Sequence, residues 1–233
     1  MRSSTWHAHG NAYRVVEREG APPLEAGEAR RLATGTDGVL EIVSEAVGRI
    51  EIVIWNPDGS QAELSGNGTR IAAAWHAARS GAREIEVDTG ARVVATRILA
   101  DGRVEQDLGA VVVGPSETVD GVTFVPVSVG NPHAVVFGDP ADIARIGPRL
   151  ESHPRFPERT NVQVARVDGP GEVTARVWER GVGETGSSGT SAVAVAAATH
   201  DSGDVTVHFP GGDLYVRLES GRAILVGAAE QVG

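Results

Sequence analysis

The sequence predicts an α+β protein of two similar halves, each a curved, mainly antiparallel sheet wrapped around a central helix. Three observations carry this. Short β-branched runs bounded by Gly, Pro, Asp or Asn recur along all 233 residues. Two alanine-rich stretches, 69–80 and 190–200, are apolar on several faces, as in Ile71-Ala-Ala-Ala-Trp75 and Ala192-Val-Ala-Val-Ala-Ala-Ala198; a helix apolar most of the way round belongs inside. Finally, aligning Ser65 with Ser188 also aligns Gly66 with Gly189, Ala73 with Ala196 and Ala74 with Ala197. Each helix then follows several strands and precedes more, as in an internal repeat.

In chain order, the strand-like runs are 13–16, 38–43, 50–55, 84–88, 93–98, 109–113, 123–129, 134–138, 162–167, 173–178, 205–209, 214–218 and 223–226. Helices are expected at 26–32, 69–80 and 190–200, with a short one at 142–150. Gly81 stops the second of these and Asp201-Ser-Gly203 the third, as chain-reversing residues do. The seam falls at Val111-Val-Val-Gly-Pro115, which gives halves of 1–112 and 113–225, with 226–233 packing back onto the first.

Composition narrows the chemistry. With 21 basic and 31 acidic residues the net charge is −10, and no basic stripe is present, which argues against a nucleic-acid or anionic-membrane surface. No apolar run approaches the length of a membrane span, and Met1-Arg-Ser-Ser-Thr-Trp-His7 lacks the apolar core of a secretory signal, so a soluble cytoplasmic protein is expected. The absence of cysteine excludes disulfides, a thiolate nucleophile and cysteine-ligated zinc. There is no lysine either; all 21 basic residues are arginine, so no Schiff base with pyridoxal phosphate can form.

Two segments concentrate the remaining signal. Glu63-Leu-Ser-Gly-Asn-Gly-Thr-Arg70 and Glu184-Thr-Gly-Ser-Ser-Gly-Thr-Ser191 each run a small glycine-rich turn into one of the alanine-rich helices. Helix starts of this kind present backbone N–H groups and the positive end of a dipole, which suits a carboxylate. Two of them facing each other would hold one substrate carboxylate and set Ser65 and Ser188 on either side of its α-carbon.

The motifs along the chain resemble those of the diaminopimelate epimerases, the cofactor-independent amino-acid epimerases of lysine and peptidoglycan biosynthesis. They run in the family's order: His7-Ala-His-Gly-Asn-Ala-Tyr13, Gly35-Thr-Asp-Gly-Val39, Asn56-Pro-Asp-Gly-Ser60, Glu63 to Arg70, Gly130-Asn-Pro-His133, Arg159-Thr-Asn161, Glu179-Arg-Gly-Val-Gly-Glu-Thr185 and Ser188-Gly-Thr190. The resemblance implies that the backbone of Gly66, Asn67, Gly189 and Thr190 binds the proximal carboxylate and that Asn11 holds the proximal amine. It places Asn56, Asn131, Asn161 and Arg180 at the distal carboxylate and Glu179 at the distal amine, roles that suit a guanidinium fork and a carboxylate. Gly38 stands where the family more often has an amine-binding side chain such as glutamine. No metal and no cofactor are implied, and the resemblance points to a homodimer. His7 and His9 lack the carboxylate cluster that a metal pair would want.

In the family two cysteines invert the α-carbon, and here both matching positions, Ser65 and Ser188, are serine. A thiol with a reference pKa of about 8.5 shares its proton near neutral pH, whereas a serine hydroxyl needs an adjacent base. Three readings follow. The serines relay protons for His133 and Glu179 in an epimerase; or the pocket is kept and the chemistry has changed to another isomerisation or an elimination; or the chain binds an amino acid and catalyses nothing. Serine is also a favoured residue for capping a helix start.

Overall fold

The computed structural model describes residues 1–18 and 20–232; Gly233, the last residue of the expected 226–233 segment, lies outside them. By contacts the chain forms two compact units, Met1–Asp107 with Val226–Gly233, and Leu108–Leu225.

In the first unit the strands are β1 (Arg2–Ala8), β2 (Asn11–Glu17), β3 (Gly38–Ala46), β4 (Arg49–Trp55), β5 (Gln61–Ala62), β6 (Glu84–Asp88), β7 (Val93–Ile98) and β8 (Val104–Ala110); α1 (Ala26–Leu32) and α2 (Gly66–Ser80) are its helices. β1 and β2 are antiparallel, β2 and β3 parallel across α1, β3 and β4 antiparallel, β4 and β6 parallel across α2, and β6, β7 and β8 antiparallel in turn. Alternation sorts the side chains between two faces. Trp6, Tyr13, Val15, Leu40, Ile52 and Ile54 face α2, whose Ile71, Ala72, Ala73 and Trp75 are all buried. Val16, Val39 and Trp55 face the other way and pack with Leu24, Ala29 and Ala33 around α1. α2 ends at Gly81, which takes φ +72° and returns its N–H to the Ala77 carbonyl at 2.8 Å.

The second unit repeats this order. After β9 (Val112–Val113) and β10 (Glu117–Val119) come β11 (Val122–Ser128), β12 (Pro132–Phe137), α3 (Ile143–Glu151), β13 (Asn161–Gly169), β14 (Glu172–Glu179), β15 (Gly183–Thr185), α4 (Gly189–Thr199), β16 (Gly203–Phe209), β17 (Gly212–Glu219) and β18 (Arg222–Gly227). β19 (Glu230–Gln231) returns to pair with β1. β11–β12 is antiparallel, β12–β13 parallel across α3, β13–β14 antiparallel, β14–β16 parallel across α4 and β16–β17 antiparallel. Helix α4 is in contact with β11, β12, β13, β14, β16 and β17, the sheet curving around it, and Gly189 to Ala196 are buried.

Several expectations need correction at their edges: α4 runs Gly189–Thr199 rather than 190–200, and α3 Ile143–Glu151 rather than 142–150. α2 begins at Gly66 rather than 69, because the glycine-rich segment is itself the first turn. The run expected at 109–113 divides, Gly109 and Ala110 closing β8 and Val112–Val113 forming β9. Among the described residues no helix is long and apolar enough to cross a membrane.

Candidate active site

Ser65 precedes α2 in extended conformation, φ −134° and ψ 118°, and its Oγ accepts the Gly68 N–H at 3.0 Å. The fit is close: a Cβ on Gly68 would stand 3.1 Å from Ser65 Cβ and 3.2 Å from Leu40 Cδ2. Gly66 and Asn67 follow as the first helical residues, so their amides run outward along the helix axis, where a carboxylate is favoured. The Tyr13 hydroxyl lies 3.1 Å from Ser65 Oγ.

Behind this turn lies a buried polar network. Arg70 is fully buried; its guanidinium donates to Asn67 Oδ1 and, at 3.2 Å, to Gln106 Oε1. Gln106 in turn donates to Thr69 Oγ1 at 2.5 Å, and Asn67 Nδ2 donates to Asn11 Oδ1. Burial pushes Arg70 down to about 9, so it is still a cation at neutral pH. Its charge adds to the positive end of the α2 dipole and strengthens the attraction for an anion at the Gly66-Asn67 amides. The network joins Asn11 to Asn67, two of the residues expected in the site. Asn56 directly follows β4, in a turn where its Nδ2 donates to Ser60 Oγ at 2.9 Å and Gly59 takes φ +84°.

In the second unit Ser188 holds the same place before α4, with φ −148° and ψ 130°, but its side chain makes no capping bond. Gly189 and Thr190 are the first helical residues there. One turn in, Ser191 Oγ accepts from Gln163 Nε2 at 2.9 Å, and the same amide group donates to His133 Nδ1 at 3.0 Å. That places the ring proton on His133 Nε2, which donates to Asn131 Oδ1 at 2.9 Å. His133 was expected as a base for which a serine relays protons. The finding differs: burial pushes it down to about 3, the Gln163 bond opposes this and the Arg180 charge adds to it, so the imidazole is neutral.

Asn161 is the register partner of His133 on β13. Its Nδ2 donates to the Pro132 carbonyl at 3.0 Å, and its Oδ1 accepts the Arg180 N–H at 3.0 Å. Asn131, His133, Asn161 and Arg180 therefore form one cluster. Glu179 ends β14 and accepts the Thr185 hydroxyl at 2.6 Å. His7 and His9 each accept a backbone N–H at 2.9 Å, from Gly10 and Ala228.

Tyr13, Gln163 and Ser191 escaped the sequence reading. Tyr13 had a signal, since Asn11, Tyr13 and Val15 alternate on the inward face of β2. Gln163 had none, as an amide inside an apolar run shows its partners only once the chain has folded.

The family model described as diaminopimelate epimerase matches residues 4–114 and 125–231. A diaminopimelate epimerase of Desulforudis audaxviator is 36% identical, over 100% of this chain and 97% of the relative. One from Sphingopyxis alaskensis is also 36% identical, over 99% and 95%. Among solved structures, a phenazine biosynthesis protein of the PhzF family from Bacillus anthracis aligns with a TM-score of 0.74 at 15% identity, covering 100% of this chain and 98% of its own. A hydroxyproline epimerase from Agrobacterium vitis, with bound trans-4-hydroxy-L-proline, aligns with a TM-score of 0.72 at 15% identity over 99% and 89%. The two solved structures share the fold.

Proposed function

This chain belongs to the diaminopimelate epimerase family, and we propose from that premise that it interconverts LL- and meso-diaminopimelate without a cofactor. A proton leaves one face of the α-carbon and another arrives on the opposite face. The observation that carries this reading is the placing of a hydroxyl at the start of each buried helix, Ser65 before α2 and Ser188 before α4.

In this reading the amides of Gly66, Asn67, Gly189 and Thr190 take the proximal carboxylate and Asn11 the proximal amine. The distal carboxylate goes to Asn56, Asn131, Asn161 and Arg180, and the distal amine to Glu179. A serine hydroxyl does not ionise near neutrality, so each serine works as a relay for a neighbouring group. We assign base work on the Ser188 side to Glu179. His133 serves as a neutral imidazole: its Nε2–H occupies Asn131 Oδ1 and so turns the Asn131 amide N–H groups toward a carboxylate.

One observation favours a second reading for the first half. The capping bond from Gly68 gives Ser65 a structural use without any chemistry, as in a chain that binds the amino acid and leaves it unchanged. Incubation in D2O separates the two. The epimerase builds deuterium into one α-carbon of LL-diaminopimelate as the meso isomer appears, read by proton NMR. Calorimetric binding with no deuterium incorporated at any pH would establish the binder and overturn the epimerase.

A further inference from the structure

We propose that Tyr13 is the proton reservoir behind Ser65, a positioning residue that works through the serine hydroxyl; this rests on the epimerase reading above. The two oxygens are 3.1 Å apart. A serine hydroxyl has one hydrogen to give and two lone pairs to fill. The Gly68 N–H fills one lone pair at 3.0 Å; in the relay Tyr13 takes the donor role in a bond that either hydroxyl could donate, and fills the other. Ser65 is left with its own hydrogen as the group it offers, and the resting state of this half is poised to protonate carbon.

The fold makes room for this phenol. Tyr13 and Gly38 are register partners on the parallel pair β2–β3, and a Cβ on Gly38 would stand 2.6 Å from Tyr13 Cε1 and 2.6 Å from the Trp55 carbonyl oxygen. The missing side chain at 38 is therefore the condition for the ring to lie where it does, with Tyr13 only 8% exposed. The same place in the second unit is filled by His133 opposite Asn161 on the parallel pair β12–β13. Each half thus seats a proton-bearing ring at an equivalent strand position, a phenol in the first and an imidazole in the second. Of the two it is the phenol that contacts the serine at its helix start.

The step balances as follows. The Ser65 O–H bond breaks and its proton forms the new C–H bond on the substrate carbanion, while the Tyr13 O–H bond breaks and its proton restores the serine hydroxyl. Tyr13 is left as tyrosinate and regains a proton from water. In the reverse direction Tyr13 first gives its proton to water, and the tyrosinate then accepts the Ser65 proton as the serine accepts the one from carbon.

Tyr13→Phe removes the oxygen and keeps the ring. The expected result is a fall in kcat for diaminopimelate epimerisation of roughly 100-fold or more with KM unchanged, the size of a lost acid–base partner. Adding Tyr13→Phe to Ser65→Ala should produce no further loss, because the tyrosine acts only through the serine. A Tyr13→Phe enzyme with wild-type kcat, or losses that multiply in the double variant, would overturn the relay and leave the epimerase reading standing. A wild-type enzyme that exchanges no α-proton in D2O would overturn both.

Discussion

Burial of His133 sets a pH dependence of folding that can be measured directly. Its folded pKa, about 3, lies below the ordinary value of 6.5. Above pH 6.5 both folded and unfolded imidazoles are neutral. As the pH falls below that value the unfolded chain binds a proton that the folded chain refuses until about pH 3, so stability drops by up to about 1.4 kcal/mol per pH unit across the window. Carboxylates held low by hydrogen bonds, such as Asp168 with Thr174 and Arg166, add their loss at more acid pH. His208, raised chiefly by its bond to Asp213, works with the opposite sign at an exposed site. Urea melts between pH 4.5 and 6.5 should therefore flatten in His133→Gln relative to wild type, and an unchanged slope would count against a neutral buried imidazole. Arg180 offers a second residue-scale test. If its guanidinium holds the distal carboxylate, Arg180→Ala should weaken diaminopimelate binding by about 1.5–3 kcal/mol. An amino acid with a single carboxylate should bind the two proteins equally.

At the scale of elements, helix packing and capping give separable expectations. α3 rests on β14 through Gly147, where a Cβ would stand 2.6 Å from Trp178 Cβ and 2.7 Å from Cγ; Gly147→Ala should cost about 1–3 kcal/mol in a thermal melt. Ser65 caps α2 and Ser188 caps nothing, so Ser65→Ala should destabilise by about 1 kcal/mol and Ser188→Ala by distinctly less. Much at this scale was legible beforehand. Helix 26–32 and strands 84–88 and 93–98 were read with their observed limits, because Gly, Pro and Asp bound them and β-branched residues fill the two strands. β1 was missed: Arg2-Ser-Ser-Thr-Trp-His-Ala8 has no β-branched run, and it is held as a strand by β2 and by β19, far along the chain. β8 was hidden for another reason. Its inward residues are Val104, Gln106 and Leu108, and the polar one finds its partners in Thr69 and Arg70, distant in sequence.

For the whole molecule, the internal repeat was visible in four aligned residues. It is far plainer in the pairing order, where both units run antiparallel, parallel, antiparallel, parallel, antiparallel with a helix inside each parallel crossover. The two helix starts and the serine before each were legible from sequence, since a helix start and its N-terminal serine are local. Tyr13 was in a quoted motif and still went unassigned, because its meaning lies in a contact with a serine 52 positions away. The neutrality of His133 was likewise invisible, being a consequence of burial. In the proposed epimerase reading, each half supplies one hydroxyl to a single reaction. The most direct measurement is the rate of interconversion of LL- and meso-diaminopimelate in Ser65→Ala and Ser188→Ala separately, with substrate binding followed in parallel by calorimetry. Each substitution alone should lower the rate by roughly 100-fold or more while binding persists; a wild-type rate in either variant would contradict two-sided proton transfer by this pair.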